Sequence, residues 1–220
     1  MVTEVRNYFR YLDLVREDIK EEFDLLGINQ KKPRICDFGC GNGLTTFGLA
    51  IERKESECIG VDLFGKATKI TPKEIAQLTK TASSECKNKS KYLQEICELI
   101  ETSRIPKFQQ GNIVNNINLP KDIDLAYCKK VLVNIFLKEY EGIPSGEQSL
   151  TAGLRNIYHS LRPDGQLCVI EYYKDFILEI YFEKCGFQIE KKELIKRREI
   201  RSKGRTESMS DLTLYLCRKR

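Results

Sequence analysis

The chain has 220 residues, of which 41% are hydrophobic and 31% charged, with a formal charge of +5. That length allows one well-buried core and is short for two. No stretch approaches the roughly 18 apolar residues a bilayer crossing needs, and the N-terminus MVTEVRNYFRYLDLVRED mixes charges of both signs through its apolar residues, unlike a secretory leader. A cytoplasmic protein is expected.

Residues 4–26 place Val5, Phe9, Leu12, Val15, Ile19, Phe23 and Leu26 at three- and four-residue intervals, an amphipathic helix stopped by Gly27 and then Pro33. RICDF (34–38) reads as a short buried strand, LTTFGLAIERK (44–54) as a helix, and ECIGVDL (57–63) as a second strand. Such a strand–helix–strand unit implies a parallel, right-handed crossover. Residues 72–102 read as two polar helices, KFQQGNI (107–113) as a third strand and IDLAYC (123–128) as a fourth. GEQSLTAGLRNIYHSL (146–161) is a helix ended by RPDG, QLCVIEYY (166–173) a fifth strand, and DFILEIYFEKC (175–185) a helix capped by Gly186. FQIEKKELIKR and DLTLYLCRK close the chain as two strands joined by the polar loop SKGRTESMS.

This alternation predicts an α/β fold: a doubly wound, mostly parallel seven-stranded sheet with helices on both faces and a C-terminal antiparallel hairpin. A single domain over 1–220 is expected, with an N-terminal helical cap (1–30) and a helical insertion (64–105) between the second and third strands. In such sheets ligands bind beyond the carboxyl ends of the strands. Asp37 to Gly43, Asp62, Asn112, Cys128 to Lys130 and Glu171 all fall at predicted carboxyl ends.

The nine cysteines are odd in number and scattered, and no C-x-x-C pair occurs. With His159 as the only histidine, no metal site is expected, and most thiols should act as small apolar core groups. The charge is uneven: residues 191–205 carry eight basic and two acidic side chains, and RKR ends the chain.

The stretch ICDFGCGNGL puts Asp37 directly before Gly39, Gly41 and Gly43. A dinucleotide fingerprint would need a third glycine where Leu44 stands, and no G-K-[ST] follows for a P-loop. Phosphate-binding turns present bare N–H groups, which an adjacent carboxylate would oppose. A ligand that is cationic at this end suits the turn better, and Asp62 is placed to accept a ribose diol as the acid after the second strand.

DFGCGNG followed by GVD resembles the first two motifs of class I S-adenosylmethionine-dependent methyltransferases. GNI resembles that family's turn after the third strand, IDLAYCKKVLVNI its fourth-strand motif, and LRPDG with QLCVIE its fifth-strand segment, all in the family's order from about residue 30 to 218. The resemblance implies S-adenosyl-L-methionine as cofactor. By position, Asp37 with the Gly39–Cys40–Gly41 backbone would hold the methionine portion. Asp62 would hold the ribose, and Leu63 would pack on adenine. Asn112 would accept from the adenine amino group through its side-chain oxygen, with Ile113 donating from its backbone. Asn112 stands where the family often has aspartate. Cys128 and Lys129 would lie nearest the sulfonium.

Blander readings stand beside these. Asp37 can cap the turn's own amides, Asp62 the next helix, and Asn112 its own turn. Lys129 and Lys130 are a candidate substrate-anion contact, and Glu171 the candidate general base or substrate-amine contact. Tyr172 or Tyr173 could meet a substrate ring. His159 suits the C-terminus of its helix better than catalysis. Tyr8, Phe9 and Tyr11 could lid a pocket or simply dock the helix. No [DNS]-P-P-[YFW] follows the fourth strand and no P-C occurs, which sets aside adenine-amino, glutamine-amide and cytosine-C5 methylation. A small-molecule substrate is favoured. RNA or an acidic partner bound through 191–205 is the alternative, and a non-catalytic binding protein the rival from another class.

Overall fold

The computed structural model describes residues 2–27, 32–63, 90–137, 145–171, 178–195, 200–202, 205–207 and 211–220, the side chains from residue 12 to residue 195 within these ranges and from 211 onward. The chain divides into two compact units, Met1–Gly111 and Asn112–Arg220. Its main sheet has seven strands, with three parallel strands from the first unit and a parallel pair plus an antiparallel pair from the second.

In the first unit, helix α1 (Val2–Leu26) buries Leu12, Ile19, Phe23 and Leu26 on one face and ends at Gly27, whose φ of 59° suits a glycine helix stop. Strand β1 (Arg34–Phe38) is buried from Ile35 onward, as an interior parallel strand should be. Helix α2 (Leu44–Glu52) follows Gly43, and β2 (Glu57–Asp62) pairs parallel with β1, Asp37 opposite Gly60. Helix α3 (Lys91–Glu101) starts at Ser90, whose hydroxyl accepts from the Leu93 amide at 3.3 Å. Ser90 Oγ in turn donates to Asp13 at 2.7 Å, tying α3 to α1. Arg16 on α1 pairs with Glu52 on α2 and with Glu95 on α3. Strand β3 (Lys107–Gln110) pairs parallel with β2. Of the two helices expected over 72–102, the second is α3; the first lies outside the described residues.

In the second unit, β4 (Ile123–Lys129) is buried except for its last residue. Helices α4 (Leu132–Leu137) and α5 (Glu147–Ser160) lead to β5 (Leu161–Glu171), which pairs parallel with β4. Helix α6 (Leu178–Lys184) precedes β6 (Phe187–Ile195), a ribbon of β7 (Ile200–Ser202) and β8 (Arg205–Glu207), and β9 (Leu212–Lys219). The sheet order is β3-β2-β1-β4-β5-β9-β6, with β9 antiparallel to both β5 and β6.

Two elements differ from the sequence expectation. The RPDG stop does end α5, but β5 begins at once: Leu161 pairs with Ile123 and the ladder resumes at Gln166 with Leu125. Arg162 to Gly165 bulge out between, with Asp164 at φ 61° and Arg162 paired to Asp124 at 2.5 Å. The expected polar loop before β9 starts at the last residue of β7 and contains β8, its partner in a short antiparallel ribbon.

Among the described residues no helix is long and apolar enough to cross a membrane, and no group of three metal-ligating side chains gathers. The eight described cysteines are all free and seven are buried.

Candidate functional site

In the first unit the glycine turn leaves β1 and hydrogen-bonds to its own surroundings. The amides of Gly39 and Cys40 donate to the Val61 carbonyl at 2.7 and 3.1 Å, and that of Gly43 to the Cys40 carbonyl at 2.8 Å. The Gly41 amide donates to Asp62 Oδ2 at 3.1 Å. Gly39, Gly41 and Gly43 have φ of 76, 55 and 83°, the left-handed region in which side chains are strained, so this path needs glycine. Four N–H groups that a phosphate would seek are therefore engaged. The expectation that the Gly39 and Gly41 backbone holds a ligand narrows accordingly to their carbonyl oxygens.

Asp37 is buried, and its Oδ2 accepts from Thr46 Oγ1 at 2.7 Å, linking the strand to the first turn of α2. This contact is to a side chain of α2 and differs from the expected cap on the turn's own amides, which donate to Val61, Cys40 and Asp62. Asp62 ends β2 half-buried, and the carbonyls that follow are held by β3: Gly111 N–H donates to Asp62 O at 3.1 Å and Gln110 Nε2 to Leu63 O at 3.0 Å. The Cys40 thiol is pushed well up, first by burial and then by the charges of Asp37 and Asp62. The turn lies in a negative field.

In the second unit, Asn112 and Ile117 exchange backbone hydrogen bonds at 2.9 and 3.0 Å and close a tight turn. Asn112 Oδ1 accepts from the amides of Val114 at 2.9 Å and Asn115 at 3.1 Å. A carboxamide oxygen has two lone pairs, and both are in use. The other reading of Asn112, a residue that stabilises its own turn, describes this geometry. The amides engaged are those of residues 112, 114, 115 and 117; that of Ile113, the expected donor to the base, is not among them. Asn156 on α5, which sequence reasoning passed over, donates from Nδ2 to the carbonyls of Ile113 at 2.8 Å and Val114 at 3.0 Å. Its one signal was a polar residue three positions after Gly153, where α5 meets the Ile113 side chain.

Cys128 is fully buried in β4, and Lys129 is half-buried at its end. Lys130 has φ 62°, donates its amide to Ile170 O at 2.8 Å and receives Asn134 Nδ2 on its carbonyl at 2.5 Å. Glu171, 2% exposed, accepts the amides of Leu132 at 2.8 Å and Val133 at 3.3 Å through Oε1. Burial pushes its carboxyl up to about 7, against the pull of the 131–133 amides and Lys130. Its geometry is that of a carboxylate holding the start of α4, a role the reading as a base did not include. Tyr172 and Tyr173 lie outside the described residues, as do the side chains of Tyr8, Phe9 and Tyr11. His159 is exposed in the last turn of α5, edge-on to Tyr158.

Of the basic segment, Lys191 pairs with Glu193 at 2.8 Å, and Lys192 pairs with Glu179 beside the Tyr215 ring. Beyond Ile195 its side chains lie outside the described residues. A separate cleft of about 250 Å³ opens at the amino ends of β2 and β3, between Lys54, Ser56, Glu57, Arg104 and Lys107. The carboxyl termini of α2 and α3 lead into its lining loops, and cations there offset the helix dipoles.

No protein-family model matches the sequence, and no curated protein matches it. Solved structures do. The N-methyltransferase NodS from Bradyrhizobium japonicum WM9, in complex with S-adenosyl-L-homocysteine, aligns with a TM-score of 0.56 at 13% identity, over 93% of this chain and 86% of that one. Precorrin-6y C5,15-methyltransferase from Geobacter metallireducens GS-15 aligns at 0.55 and 12%, over 93% and 88%. The [4+2]-cyclase SpnF aligns at 0.56 and 14%, over 96% and 80%. At these identities the likeness is one of fold: the chain has the Rossmann-like α/β fold that these methyltransferases share with a cyclase.

Proposed function

We propose that this chain is an S-adenosylmethionine-dependent methyltransferase acting on a small molecule. The observation that carries the reading is the glycine turn, whose amides are engaged within the protein and whose surroundings are negative from Asp37 and Asp62. Such a turn repels phosphate and suits a ligand with an ammonium and a sulfonium. The residues present fit that group. Asp62 uses one oxygen on Gly41 and, as a carboxylate with about four acceptor sites, can still take a ribose hydroxyl. The carbonyls of Gly39 and Gly41 would meet the ammonium.

The cofactor, when bound, supplies an activated methyl for in-line displacement at carbon. The protein's part is alignment and exclusion of water. Lys129 and Lys130, at the end of β4, would orient an anionic acceptor. Glu171 would hold the turn that carries them. The cyclase among the structural neighbours favours a second reading, in which the fold holds a small molecule without methyl transfer. RNA or an acidic partner engaged by the charge of 191–205 is the remaining alternative.

Calorimetric titration with S-adenosylmethionine, S-adenosylhomocysteine and NAD tests the assignment. Saturable binding of the first two, absent for NAD and lost in Asp62→Ala, is expected. Binding of NAD in their place would overturn it.

A further inference from the structure

Tyr92, in the first turn of α3, is fully buried at a place where phenylalanine would fill nearly the same volume with no polar atom to satisfy. Its hydroxyl reaches into α2. It donates to the Leu44 carbonyl and accepts from the Gly48 amide, the two groups that helix geometry pairs with each other. Gly48 leaves the room for this: a Cβ there would lie 2.5 Å from Ile19 Cδ1 and 3.3 Å from the Tyr92 hydroxyl. The tyrosine is itself fixed from α1, because Asp13 Oδ1 accepts from Ser90 Oγ at 2.7 Å and from the Tyr92 amide at 3.1 Å. The turn of α2 that it grips follows the glycine turn directly, and Thr46 within it donates its hydroxyl to Asp37 at 2.7 Å. One chain of contacts thus runs from α1 through Tyr92 and the backbone of α2 to the buried carboxylate before the glycines. Phenylalanine at position 92 would leave Leu44 and Gly48 to pair with each other, so the hydroxyl adds little to satisfying α2 and acts instead on where that turn sits.

We infer that Tyr92 is a positioning residue, whose hydroxyl sets the first turn of α2 so that Thr46 holds Asp37 in place for the cationic end of a bound ligand. The inference rests on the cofactor reading above and carries it to α1 and α3, two helices outside the strand–turn–helix unit. Asp37 acts on a ligand through its charge, so a positively charged group feels a displaced carboxylate and a neutral ligand does not.

Two ligands separate positioning from packing: S-adenosylhomocysteine, whose amino-acid part carries an ammonium, and 5′-methylthioadenosine, which keeps the nucleoside and the sulfur without that part. Calorimetry on the full chain is expected to find S-adenosylhomocysteine bound about tenfold more weakly by Tyr92→Phe than by the wild type, the size of one charge-assisted hydrogen bond. The same variant should bind 5′-methylthioadenosine within about twofold of the wild type and unfold within about 0.5 M of its urea midpoint. Thr46→Val should show the same split between the ligands, and the double variant should be no weaker than the weaker single one, since both act through Asp37. Equal weakening of both ligands, which packing alone would produce, overturns the inference, and so do unchanged affinities or additive losses. Hydrogen exchange on the wild type needs no variant: S-adenosylhomocysteine, and not 5′-methylthioadenosine, should slow the amides of residues 44–48 in α2 and 92–96 in α3. Indifference of the α3 amides to S-adenosylhomocysteine overturns the inference even where Tyr92→Phe fails to fold. A wild type that binds neither ligand removes the cofactor reading and this inference together; one that binds both without the expected split removes the inference alone.

Discussion

The start of α4 hangs on a carboxylate that burial makes costly to ionise, and the cost has a definite pH signature. Glu171 is 2% exposed at the end of β5, and its carboxyl titrates at about 7 in place of 4.5. Burial dominates; the amides of residues 131 to 133 and the charge of Lys130 pull the other way. In the unfolded chain the group returns to its ordinary value. Between about pH 4.5 and about pH 7 the folded protein keeps a proton that the unfolded chain has lost, so stability falls as pH rises and levels off above that window. The displacement from 4.5 to about 7 corresponds to about 3 kcal/mol, the full contribution present below the window and absent above it. Glu171→Gln removes the titration and keeps an oxygen for the Leu132 and Val133 amides. Urea unfolding followed by circular dichroism, at steps from about pH 5 to about pH 8, gives the stability difference between wild type and variant. Other groups cancel in that difference, and the wild type should lose about 2 to 3 kcal/mol relative to the variant across the range. A flat difference, or a wild type that gains as pH rises, would refute the reasoning.

Gly60→Ala in the middle of β2 would set a Cβ 2.6 and 2.8 Å from atoms of the Phe108 ring and 2.9 Å from Cys40 Sγ. A loss of about 1 to 3 kcal/mol is expected, partly recovered in the double variant with Phe108→Ala; an unchanged urea midpoint would contradict the packing described. Arg16→Ala removes the cation between Glu52 and Glu95, whose side chains are 15% and 21% exposed. Stranding two mostly buried carboxylates should cost about 3 kcal/mol or more at neutral pH, and a cost below about 1 kcal/mol would show the network to be solvated.

How much of this was legible in the sequence varies with the range of the interaction involved. RICDF reads as β1 to the residue because an apolar run between Pro33 and Gly39 leaves a strand nowhere to extend. The helix before β5 also reads correctly, but the immediate start of β5 at Leu161 depends on its pairing with Ile123 across the bulge, a contact between distant residues. The β7–β8 ribbon hid in a polar stretch with no alternating hydrophobic pattern to betray it. At the candidate site, that these residues end strands or follow them was legible; the occupancy of their lone pairs was not. That Asn112 could cap its own turn was legible, as asparagine often does; that the cap takes both lone pairs was not, and Asn156 sits in an amphipathic helix like any polar residue.

Three of the strand-end side chains singled out as ligand contacts hold backbone amides: Asp62 holds Gly41, Asn112 holds Val114 and Asn115, and Glu171 holds Leu132 and Val133. Capping and ligand recognition draw on the same lone pairs, so the reading of each residue turns on how many it has. A carboxylate offers about four acceptor sites and a carboxamide oxygen two. Asp62 can therefore cap its turn and still receive a hydroxyl, whereas Asn112 can cap or accept, and here it caps. Glu171 has capacity left as well, but at 2% exposure its remaining oxygen faces protein far more than solvent, which favours a structural duty over proton transfer. Asn112 thus spends its one acceptor atom inside its own turn and presents only amide hydrogens beyond it.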